Sequence, residues 1–103
     1  MLARVRDKIR FDSSSPVQEP IAHSGPVRLV LFCLEEGQEI PAHRAQATVM
    51  MQAFSGRGML AVGDEEHAVQ AGDVVVVPPG VAHAMSASEG RFTVLACIVS
   101  AAG

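Results

Sequence analysis

An all-β barrel or sandwich is the fold class this sequence predicts. Three observations carry that expectation. Roughly seven to nine short runs rich in β-branched and apolar residues follow one another along the chain. Glycine or proline interrupts them about every 6–12 residues, the spacing of turns rather than of helix ends. No segment shows a sustained helical period. At 103 residues the chain is one domain by length. Within it, residues 1–26 read as an N-terminal strand or arm with an irregular segment, and residues 27–103 as the barrel.

Each element has its own signal. In the arm, Arg4, Arg6, Lys8 and Arg10 alternate with Val5, Asp7, Ile9 and Phe11. That alternation predicts an edge strand with one charged face, a common guard against unwanted pairing. Residues 12–26 are rich in Ser and Pro, and an irregular or lightly paired segment is expected there. Val27 to Gly37 reads as a strand, and "QEIPAH" as a turn around Pro41. Ala47 to Phe54 is a further strand. The longer stretch "HRAQATVMMQAF" has the Ala, Gln and Met content of a helix, but its Gly-Pro framing favours the strand. "SGRG" is expected to turn the chain. Met59 to Asp73 predicts a hairpin around Gly63-Asp64, a favoured two-residue turn type. Val74 to Val77 is a strand stopped by prolines. "VAHAMSAS" and "RFTVLACIVS" complete the set.

Composition bounds the function. Hydrophobic residues make up 49% and mean hydropathy is +0.26. That surplus implies apolar surface covered by a second copy, so a homodimer is expected. Net charge is −3 and the sequence pI about 5.7, which gives no footing for a polyanion. Tyr and Trp are absent, so a base-stacking platform is not expected and no nucleic-acid partner is predicted. Cys33 and Cys97 sit in apolar runs and read as reduced, buried thiols. No signal peptide is visible, and no apolar run approaches the ~18 residues of a membrane span. The chain reads as cytoplasmic, with no membrane partner.

One stretch is more specific than the composition. In "GDVVVVPPGVAHAM", an apolar strand runs into Pro78, Pro79 and Gly80, and His83 follows three residues later. A stiff turn of this kind aims the next strand. Upstream, Gly37 precedes His43 by five intervening residues, and Gly56 follows thirteen positions after it. This pattern resembles the cupin superfamily, specifically the small single-domain cupins, over roughly residues 27–98. The second cupin motif is glycine, five residues, proline, any residue, glycine, two residues, histidine. It is matched from Gly72 to His83, with Ala87 at the asparagine position that follows. The first motif is degenerate. Gly37, His43 and Gly56 match, but Ala45 stands at its second histidine and Val49 at its glutamate.

The resemblance implies a double-stranded β-helix, or jelly-roll barrel. It also implies that His43 and His83 meet inside as what remains of a four-ligand site for a divalent metal ion (Fe, Mn, Ni or Zn). Two imidazoles fall short of the three or four protein ligands of stable sites, and a further ligand would have to come from Glu39, Gln46 or Gln52. By strand alternation His43, Val49, Met51 and Ala53 share one face, and His83 shares one with Met85. Val49, Met51, Ala53 and Met85 are therefore the expected pocket. Each histidine also has a plainer reading as a buried polar residue held by the backbone. His67, beside a hairpin turn, and His23, in a loop, carry no expectation of function. The methionines read as core fillers.

Three functions follow. The first is a cupin that binds a small molecule, with a weak metal site or none. The alternative is a metal-dependent enzyme of the non-haem dioxygenase or isomerase type, or a metal-free relative using one histidine as a base. The third is a domain whose work is oligomerisation.

Overall fold

A computed structural model describes residues 1–100. Eight strands form two curved antiparallel layers: β1 (Val17–Ser24), β2 (Val27–Leu34), β3 (Glu39–His43), β4 (Ala47–Val62), β5 (Glu65–Gln70), β6 (Val74–Val77), β7 (His83–Ser86) and β8 (Phe92–Ser100). One layer runs β1-β2-β8-β4-β6 and the other β5-β4-β7-β3. The long strand β4 belongs to both. Its first half pairs with β6 and β8, its second half with β5 and β7.

That continuity corrects one expectation. "SGRG" does not turn the chain but lies inside β4. Phe54 is the extra residue of a bulge between the Ala53–Val94 and Ser55–Thr93 pairs. Gly56 takes φ +73 beside it, and a Cβ there would collide with the Arg91 carbonyl oxygen. The bulge flips the strand's parity. Val49, Met51 and Ala53 are buried before it, Gly58 and Leu60 after it. A side chain on Gly58 would clash with the Phe92 ring, so the missing Cβ is what lets that ring close its end of the barrel.

"QEIPAH" is likewise strand rather than turn. Its last five residues form β3, at the edge of the second layer. Pro41 is tolerated because an edge position at a bulge does not need its missing N–H. Ile40 pairs with Met85 and His43 with His83. Two residues, Pro41 and Ala42, thus oppose the single Ala84, and Ile40 and His43 both face inward despite their odd spacing.

The N-terminal edge strand expected at residues 4–11 is also absent. Val5–Lys8 forms a short 3₁₀ helix, and the edge strand is β1, inside the segment expected to be irregular. The physical reason is an apolar surface that needs a cover. Val5, Ile9 and Phe11 pack on Val17, Leu31 and Cys33, on the outer face of the first layer. The arm's other end is pinned by polar contacts. The Arg91 guanidinium lies 4.4 Å from the centre of the Phe11 ring and donates from Nε to Glu35 at 2.8 Å. Gln38 Nε2 donates to the Asp12 carbonyl at 2.7 Å.

The expected hairpin is present. Gly63-Asp64 joins the paired residues Val62 and Glu65, with Gly63 at φ +59, the first-position glycine of a type II′ turn. Both cysteines are free; Cys33 is buried and Cys97 half-buried. No helix among the described residues is long and apolar enough to cross a membrane.

Between the layers, inward side chains stack in rows. Arg28, Ile98, Val49 and Val77 form the row at one end. Val30, Ala96, Met51 and Val75 follow, then Phe32, Val94 and Ala53. Leu34 and Phe92 form the row at the far end, both fully buried.

Candidate functional site

The turn Pro78-Pro79-Gly80 is held by three backbone bonds. Gly80 N–H donates to Ala45 O at 2.9 Å, Val81 N–H to Pro78 O at 3.3 Å, and Gly63 N–H to Ala82 O at 2.8 Å. Gly80 sits at φ +80, where glycine carries no penalty. The turn delivers His83 to the first position of β7, facing inward and 4% exposed.

His43 is its cross-strand partner. The two rings lie 4.2 Å apart between centroids and are tilted by 56°. His43 remains exposed, on the rim. Each ring is tied by Nδ1 to the carbonyl two residues before it: His43 to Pro41 at 3.2 Å, His83 to Val81 at 3.1 Å. A carbonyl oxygen only accepts, so each Nδ1 donates. In the neutral ring the lone pair is then on Nε2, the arrangement that prepares an imidazole to accept a proton or to ligate.

The pair stands at the mouth of a cavity of about 180 Å³. Three of the four expected pocket residues line it: Val49, Met51 and Met85. Ala53 does not. It is fully buried against Val94, in a row from which only Phe32 reaches the cavity. Sequence reasoning missed Arg28, Phe32, Ala45, Ala96 and Ile98. A signal for Arg28 was available, since it shares strand parity with Phe32 and Leu34 and is therefore an arginine on a core-facing register.

The donor set does not complete a metal centre. Among the described residues no three His, Cys, Asp or Glu side chains converge. Glu39 pairs with Ser86 and points to the outer face, Gln52 pairs with Leu95 and Val74 on the outer face of the other layer, and Gln46 is exposed. Two well-oriented imidazoles beside Ala45 and Val49 do not match a site of three or four protein ligands. A larger groove, about 440 Å³, lies outside the second layer between Glu39, Met59, Glu66 and Ser86. It is more open to solvent than the cavity, shares Met85 with it and contains neither histidine.

The model of the cupin domain family matches residues 30–99. Solved structures match the fold nearly end to end. A protein of Thermus thermophilus aligns with a TM-score of 0.91 at 19% identity, over 96% of both chains. An RmlC-like cupin protein from Desulfovibrio desulfuricans aligns at 0.85 and 25% identity, over 96% of this chain and 95% of that one. A conserved Klebsiella pneumoniae protein with a double-stranded β-helix domain aligns at 0.86 and 20% identity, over 95% and 88%. No curated protein matches the sequence significantly. The glycine–proline–glycine turn that aims His83 is thus set in the fold its motif implied, and the chain belongs to the cupin family.

Proposed function

We propose that this protein is a small-molecule-binding cupin whose site is the cavity at the histidine end of the barrel. One observation carries the reading: an apolar cavity whose mouth is formed by two rings with tied Nδ1 and free Nε2. Apolar walls with few convergent polar groups are the usual form of a ligand site. The ligand is modest in size and largely apolar. Its polar end lies at the mouth, where the polar side chains of the lining are gathered.

A metal-dependent enzyme is the second reading, favoured by the orientation of the two imidazoles, which suits Fe, Mn, Ni or Zn. It needs a ligand from outside the described constellation. The homodimer belongs to the proposal as well. Met50, Val74 and Val76 are exposed on the outer face of the first layer, 38%, 52% and 57%, beyond the part that the arm covers. A second copy of this chain would cover them.

A thermal-shift screen of small apolar fragments tests the main reading, run on the wild type and on Ala45→Phe, which fills the mouth. Fragments that stabilise the first and not the second support it, and no hit in either rejects it. Elemental mass spectrometry separates the readings. Near-stoichiometric metal in the wild type, absent from a His43→Ala/His83→Ala double variant, would favour the enzyme.

A further inference from the structure

We propose that Arg28 makes this cavity selective for a small apolar carboxylate. The inference rests on the ligand-binding reading above and names its ligand class.

Arg28 lies on β2 in the register that faces the cavity, and it lines the mouth opposite the histidines. Its cross-strand neighbours are Ile98 and His23, neither of them acidic. Among the described residues it forms no salt bridge, while Arg10 and Arg91 each have a glutamate. None of the residues lining the cavity is an Asp or Glu, although the chain has 11 of them and a net charge of −3. The mouth is therefore a local cationic spot on an acidic protein, and such a spot concentrates anions.

The guanidinium presents a planar fork that matches a carboxylate. Beside low-dielectric walls such a pair gains more than it does in open water. Behind it the walls are Phe32, Met51, Ile98 and Ala96, which offer an acid's body only apolar contact. At about 180 Å³ the space falls below the roughly 300–1,000 Å³ that holds drug-sized ligands. The body is therefore a short branched chain or a single ring. Phosphate is disfavoured because Arg28 is the one Lys or Arg among the lining residues, and a single fork leaves a more highly charged anion under-partnered.

Titration calorimetry with two matched pairs tests this: isovalerate against isovaleramide, and benzoate against benzamide, with inorganic phosphate as a further probe. The proteins are the wild type, Arg28→Gln and Arg28→Lys, with and without chelator. Arg28 is exposed, so neither substitution removes a core contact. The expected result is that at least one acid binds the wild type roughly tenfold or more tighter than its amide, as loss of a charge-assisted hydrogen bond implies. Arg28→Gln should bring the acid down to the amide's affinity and leave the amide unchanged, with Arg28→Lys between them. Chelator should have no effect. Equal binding of acid and amide overturns the inference and leaves the ligand-binding reading standing. Phosphate binding as tightly as the acids overturns it too. So does acid binding that chelator abolishes and Arg28→Gln does not touch, since a metal would then hold the carboxylate. Absence of binding by all four organic probes overturns the inference together with the reading beneath it.

Discussion

The two ends of this barrel are built by the same strand alternation and differ in what the inward positions hold. At the far end Leu34, Leu60 and Phe92 are fully buried and fill the space between the layers. At the histidine end the rows include the smaller Val49 and Ala96, with Ala45 also in the lining, and a cavity of about 180 Å³ remains between the layers. Arg28, His43 and His83 face the gap at this underfilled end. A cavity rimmed by charge-capable groups cannot contribute what a packed row contributes to stability, so stability is concentrated at one end and a cavity is left at the other. The two histidines repeat the contrast on a smaller scale. His83 is built into the core by the proline turn, whereas His43 hangs on an edge strand and stays exposed.

The sharpest way to break the comparison is Phe92→Ala. Removing a fully buried aromatic from the packed end should cost about 3–5 kcal/mol in urea unfolding. The variant, where folded, should still bind fragments at the other end. A loss below about 1 kcal/mol would mean that the far end is not the packed one.

Next in size is the histidine pair. His83→Ala removes a buried ring with a backbone hydrogen bond and should cost about 1–2 kcal/mol. His43→Ala, at an exposed position, should stay within about 0.5 kcal/mol. Equal costs in parallel denaturation curves would remove the distinction between an embedded and a rim histidine.

The smallest effect concerns the outer face under the N-terminal arm. Burial pushes the Cys33 thiol up, an effect larger than the opposing pull of Arg10. Above the ordinary thiol range the unfolded chain has lost a proton that the folded protein keeps. Stability from this group is therefore full below that range and falls as the pH rises through it. Urea midpoints measured between pH 8 and pH 10 should decline less steeply in Cys33→Ala than in the wild type. An unchanged slope would mean that the arm does not seal that face.

Much of this was legible in the sequence, for reasons that can be named. The run from Gly72 to His83 specifies strand, turn and inward histidine through residues with strict conformational demands. Gly63-Asp64 does the same for its hairpin. Val49, Met51 and Met85 follow from period-two alternation alone. The misreading of β4 has one cause, which is that a bulge leaves no mark in a simple period. Phe54 and Gly56 shift the parity of β4 in the middle of a strand, and "SGRG" therefore reads as a turn. Pro41 reads as a breaker because its edge position is a tertiary fact. The arm alternates like a strand, but Val5, Ile9 and Phe11 are spaced to cover a surface, and only that surface decides their conformation. Ala53 illustrates the limit of parity, which gives the face and not the depth. Arg28 was visible as a charge on a core-facing register, but only the cavity gives it meaning.

Methionine methyl NMR offers the most direct test of the central claim, because the five methionines fall on different surfaces. Met51 lines the cavity alone, Met85 lines both the cavity and the open groove outside the second layer, Met59 lines that groove alone, and Met50 lies on the outer face of the first layer. Titration of methyl-labelled protein with a small apolar acid should move the Met51 and Met85 signals together and leave Met50 and Met59 in place. Shifts at Met50, Met59 or Met85 that leave Met51 unmoved, or no shift at any methionine, would contradict a ligand site inside the histidine end of the barrel.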